Sequence, residues 1–157
     1  MKWARTLLTI PVLLLTLVFC YLYYGAQADF AVNLQTAPAQ EHEATYNSVV
    51  AAVQTGVAEA VHSDEPFTGA QDYTLVSMQI TMHNPGALPM EWVTCEYQPG
   101  DGDVAVYEIE GLPADIGSEQ DAVLYVRAIR RNGGAGGGKA VVTYYVAGQR
   151  ITKTIAE

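Results

Sequence analysis

The chain has 157 residues, half of them apolar, with 8 Lys and Arg against 17 Asp and Glu and a formal net charge of −9. That apolar content excludes a disordered acidic chain, and the length allows one ordinary domain with an appendage. Between Asp29 and Asp121 there are 16 acids and no base, whereas six bases and no acid lie between Arg127 and Lys153; a domain-wide basic surface is excluded, and with it a nucleic-acid partner.

Lys2 and Arg5 precede Thr6–Tyr24, a run of 19 residues without charge. At 1.5 Å per residue such a helix spans about 28 Å, close to the ~30 Å hydrocarbon core of a bilayer. Pro11 is tolerated near the end of a membrane helix. Trp3 at one end and Tyr21, Tyr23 and Tyr24 at the other are placed as interfacial aromatics. The run predicts a single-pass anchor over residues 1–25, with the N-terminus cytoplasmic and the rest of the chain outside. Ala26-Gln27-Ala28 fits the alternative of a secretory signal cleaved before Asp29, but the apolar run exceeds a signal core and ends in bulky tyrosines. Leu17-Val18-Phe19-Cys20 is a poor lipoprotein signal, because Phe19 stands where a small residue is wanted. Cys20 and Cys95 fall in an apolar span and a strand respectively, so the outer domain depends on its core and not on a disulfide.

Asp29–Glu43 reads as a tether or a loosely attached first strand, within a tether region 26–45. Tyr46, Val49, Val50, Val53 and Val57 follow helical spacing, with Gly56 as a stop; the valines leave a strand as the alternative. His62–Gln71 is a loop. From Tyr73 the period becomes two. Strands are expected over Tyr73–His83, Met90–Tyr97, Val104–Ile109 and Ala122–Ile129, then a hairpin of Val141–Val146 and Arg150–Ile155 around Ala147-Gly148-Gln149. Asn84-Pro85-Gly86 and Pro99-Gly100-Asp101-Gly102 supply turns. Six to seven short strands at this spacing predict an all-β sandwich over residues 46–157.

Asn84-Pro85-Gly86 between strands, then Leu112-Pro113-Ala114-Asp115-Ile116-Gly117 leading into Val123–Ile129, resembles bacterial immunoglobulin-like surface domains of the CARDB type. The resemblance covers roughly Tyr73 to Ile155. It implies an immunoglobulin-like sandwich of seven strands and no catalytic residues. The amphipathic segment before Tyr73 has no counterpart in that pattern.

Gly133–Lys139 matches the start of a phosphate-binding loop. That loop requires Ser or Thr after the Lys and a helix behind it; here Ala140 follows and opens a strand, so a mobile hairpin tip is expected. Asp101-Gly102-Asp103, with Glu96, Glu108 and Glu110 nearby, offers hard oxygen ligands to calcium, with Asp101 and Asp103 as the metal candidates. Ala105 and Val106 break an EF-hand pattern, which favours a solvated acidic turn. His42, His62 and His83 are dispersed, and Ser48, Ser63, Ser77 and Ser118 lack a nucleophile frame. Cys95 reads as a buried, inert thiol. No catalytic residue or cofactor is expected. Trp92, Tyr97, Tyr107, Tyr125, Tyr144 and Tyr145 should mostly pack in the core, with one of the adjacent Tyr144 and Tyr145 left outside.

The leading expectation is a membrane-anchored extracytoplasmic interaction or structural module without catalytic activity. Its contact surface for a protein partner is expected at Arg127, Arg130, Arg131, Lys139 and Tyr145. The alternative is a sensor that binds calcium or a cell-wall polymer, with an enzyme a distant third.

Overall fold

The computed structural model describes residues 2–21, 27–61, 66–134 and 137–157, with the side chains of 2–8, 59 and 60 left undescribed. Tyr23, Tyr24, Ala26 and His62, and the side chains of Lys2, Trp3 and Arg5, therefore lie outside the described residues. Helix α1 covers Lys2–Cys20 with Pro11 inside it. Every described side chain from Thr9 to Cys20 is exposed, on all faces of the helix. Those twelve residues span about 18 Å. Among the described residues, no helix is long and apolar enough to cross a membrane.

Among the described residues nine strands follow, with one α-helix and two short 3-10 helices between them. The long ones are β1 (Asp29–Pro38), β3 (Tyr73–His83), β4 (Met90–Gln98), β5 (Asp103–Glu110), β7 (Asp121–Arg131), β8 (Lys139–Val146) and β9 (Gln149–Ala156); β2 (Glu59–Ala60) and β6 (Asp115–Ile116) have two residues each. They form two antiparallel sheets, in the orders β1-β3-β7-β5-β2 and β6-β4-β8-β9. This is a β-sandwich. The six strands expected from Tyr73 onward are all present: β3 alternates apolar and polar residues, while β5, β7 and β8 are runs rich in β-branched and aromatic residues.

Asp29–Pro38, a tether or a loose strand by sequence, is a full strand that pairs with β3 over ten residues from Asp29↔His83 to Pro38↔Thr74. The sheets therefore begin at Asp29, ahead of residue 46. The segment expected as a helix or a strand is helix α2, Glu43–Gln54, which buries Tyr46 and Val49. Val57 falls beyond its end and is 82% exposed.

The main core lies between the sheets and contains Met78, Ile80, Met82, Leu124, Val126, Met90, Val142 and Tyr144. A second cluster lies under α2 with Tyr46, Val49, Tyr73, Val104 and Ile129, where Tyr73 and Ile129 alternate with the core residues of β3 and β7 and so face the other side of that sheet. There the Tyr46 and Tyr73 rings stack at 5.4 Å. Just beyond the end of β3, Asn84 is buried. Its Nδ2 donates to the carbonyls of Leu88, Ile116 and Gly117 at 2.9–3.1 Å, and its Oδ1 accepts from the Gly86 N–H at 3.0 Å. Beside it, the Ala87 N–H donates to the Tyr21 hydroxyl at 2.6 Å, which ties the end of α1 to the β3–β4 loop.

Candidate functional site

The five residues expected to form one contact surface are not brought together. Arg130, Arg131 and Lys139 lie where the chain crosses from β7 in one sheet to β8 in the other, a connection between sheets and not the hairpin tip expected from the glycines, whereas Tyr145 is six residues along β8, about 20 Å away. Arg127 is in the other sheet from Tyr145. Arg127 ion-pairs with Glu108 and, at 3.0 Å, with Glu110, and it lies 5.6 Å over the Tyr125 ring. Its hydrogen bond to Glu108 raises the guanidinium pKa further.

Arg130 is the centre of a tighter network. Its side chain is only 16% exposed; Nε meets Asp103 Oδ1 at 2.9 Å and Nη2 meets Glu157 at 2.6 Å. Asp103 is completely buried, and Oδ2 also accepts from the Tyr97 hydroxyl and the Gly100 N–H, both at 2.8 Å. Burial, with the hydrogen bond to Asp103, holds the Tyr97 phenol well above its ordinary pKa. The hydroxyl stays protonated and donates. Asp103 thus uses its oxygens within the fold, while Asp101 is exposed at the turn. Among the described residues, no group of three or more His, Cys, Asp or Glu side chains is placed to hold a metal ion.

The glycine-rich loop joins β7 to β8, two strands, and its described part packs on the β4–β5 turn. Gly138 donates its N–H to the Tyr97 hydroxyl at 3.2 Å. Lys139 and Arg150 are exposed and form no ion pair among the described residues. Cys95 is partly buried in β4, and burial pushes its thiol up to about 11.

Sequence reasoning missed Trp92. Between Glu91↔Tyr145 and Thr94↔Thr143, β4 advances three residues while β8 advances two, a β-bulge. Trp92 sits in it with φ 55°, is 75% exposed, and donates its backbone N–H to Asp115 Oδ1 at 3.1 Å. A strand pattern gives no sign of a bulge, so nothing in the sequence singles out this indole as the exposed one. Tyr144 is buried and Tyr145 half-exposed, as the adjacent pair requires. Glu91, Trp92, Tyr145 and Gly148 line a cavity of about 320 Å³. Arg150 pairs with Tyr145 across the hairpin, so Glu91, Tyr145 and Arg150 form one cross-strand row. The cavity thus offers two aromatic rings and a carboxylate. No family model and no curated protein matches the chain.

Proposed function

We propose that the protein is a membrane-anchored, extracytoplasmic binding or structural module of immunoglobulin-like type, without catalytic activity. The observation that carries this reading is α1, whose apolar side chains from Ile10, 58% exposed, to Phe19, 72% exposed, have no covering surface on the sandwich. A helix apolar on every face needs an apolar solvent. Lys2 and Arg5 at its start orient the N-terminus to the cytoplasm. The segment across the alternative cleavage point is packed into the sandwich: Ala28 is buried with its N–H on the Tyr144 hydroxyl at 2.9 Å, and Gln27 accepts from Lys153 at 2.9 Å. That favours a retained anchor. The long-strand orders β1-β3-β7-β5 and β4-β8-β9 support the immunoglobulin-like assignment, since they follow the ABED and CFG orders of that sandwich. The test is fractionation of the full chain with a C-terminal epitope. It should stay with membranes through alkaline carbonate, with the epitope digestible from outside intact cells. Soluble protein beginning at Asp29 would overturn the anchor.

The Trp92 cavity favours a second reading, capture of a neutral wall glycan. A sugar ring stacks on flat aromatic faces, and Glu91 accepts from its hydroxyls. Titration of soluble wall glycan should change tryptophan emission in the full chain, and Trp92→Ala should remove the change. No change in the intact protein would sink this reading.

A further inference from the structure

The described part of each sheet ends in two edges, and the four are not alike. β2 and β6 have two residues each, too short to template a strand. β9 is long but carries Arg150 and Lys153, charges of the kind that block edge pairing. β1 is different. It runs for ten residues, pairs with β3 on one side alone, and has no charge from Phe30 through Gln40.

The inner face of β1 is also unfinished. Phe30, Val32 and Leu34 stand opposite Met82, Ile80 and Met78 and share their face of the sheet. Ile80 and Met78 are buried, at 0% and 1% exposure, yet Val32 and Leu34 are each 41% exposed. The second sheet covers β3 and the start of β1, where Phe30 packs on the core, but leaves Val32 and Leu34 open. A row of unpaired backbone N–H and C=O groups therefore borders an uncovered strip of core.

We propose that this edge docks an extended segment of another polypeptide, which adds as a further strand beside β1. Its chemistry follows from the edge: apolar residues at alternate positions cover Val32 and Leu34, and its own backbone satisfies that of β1. The segment carries no acids, because the protein as a whole has a net charge of −9 and repels them. A second copy of the chain is a poor occupant, an argument that rests on the membrane reading above. Tyr21 is tied to Ala87, at the Asp29 end of β1. Two copies in one membrane thus send β1 away from it in the same direction, whereas self-pairing in the antiparallel sense needs opposite directions.

The probe is a synthetic peptide with the sequence of Thr74–Met82, which is uncharged and places Val76, Met78, Ile80 and Met82 at alternate positions. It is titrated onto the full chain in lipid nanodiscs, and amide exchange of residues 30–36 is followed. The expected result is saturable binding that slows exchange at these amides at least tenfold. Leu34→Lys, at a partly exposed position, should weaken binding tenfold or more with near-ultraviolet circular dichroism unchanged. Val32→Lys should act alike, and a shuffled peptide with its apolar residues contiguous should not bind. Unchanged exchange at millimolar peptide, or binding indifferent to both Lys variants, would overturn the proposal. So would protection of the same amides on dimerisation without peptide, which would assign the edge to a second copy. A chain that binds peptide but leaves the membrane would refute the anchor and spare the edge.

Discussion

At the scale of single residues, the fold depends on a few buried polar groups whose partners are complete. Asp103 meets Arg130, Tyr97 and the Gly100 N–H at once. Asp103→Ala removes the buried partner of Arg130, Tyr97 and the Gly100 N–H while Arg130 keeps Glu157, so a loss of about 2–3 kcal/mol is expected in urea unfolding. Asn84 is used mainly as a donor, to three carbonyls. Asn84→Asp replaces that donor by a carboxylate facing carbonyl oxygens, with an expected loss of about 2–3 kcal/mol at neutral pH. Part of it should return in acid, where the carboxyl carries a proton to donate; equal loss at both pH values would refute this account. Gly138 is a glycine for want of space. A Cβ there would collide with the Tyr97 hydroxyl and lie 2.6 Å from the Gln98 carbonyl oxygen. Gly138→Ala should lower the melting temperature and disturb the Asp103 network next to it.

At the scale of elements, α2 and β1 show how far a pattern reaches. The spacing Tyr46, Val49, Val50, Val53 marks a helix and its buried face, and α2 buries that face over Tyr73 and Val104. The Tyr46 hydroxyl donates to the Thr68 carbonyl at 2.6 Å, which anchors the following loop to the helix. Tyr46→Phe removes that bond for about 1 kcal/mol, and Tyr46→Ala empties the aromatic stack for about 3–5 kcal/mol. Thermal melts of the two variants should fall in that order. β1 was harder to read, because Asp29–Pro38 mixes small and polar residues and is exposed along most of its length. Its strand character comes from β3, whose ten-residue register supplies the partner groups. The bulge at Trp92 is of the same kind: one extra residue against β8 turns an expected core aromatic outward.

At the scale of the whole molecule, burial acts on groups that must stay protonated. Tyr46 is pushed up to about 12 by burial, with nearby Tyr73 and Asp72 adding to it, and Cys95 is pushed up to about 11 by burial and Glu96. Both pKa values are higher folded than unfolded, so the unfolded state loses protons first as pH rises. Their contribution to stability is full below about pH 9. It falls as pH climbs through 9–11 for Cys95 and 10–12 for Tyr46. Denaturation midpoints should thus hold up to pH 9 and then decline, and Tyr46→Phe should flatten the upper part of the decline. The net charge of −9 does not settle where charge is free. Of the terminal bases, Arg127 and Arg130 are matched by Glu108, Glu110, Asp103 and Glu157, whereas Lys139 and Arg150 face solvent. By itself the sequence determined the apolar first segment and the six strands from Tyr73, because each is written in local composition between turn residues; the segment before them was legible only as helix or strand, and burial against Tyr73 made it a helix. Only the tertiary structure decided which arginines are spent inside, that Asp103 is buried, that Trp92 faces out and that β1 ends a sheet. Those properties depend on which strand lies beside which, and hydrogen-bond partners and cover arrive from residues far away in the chain.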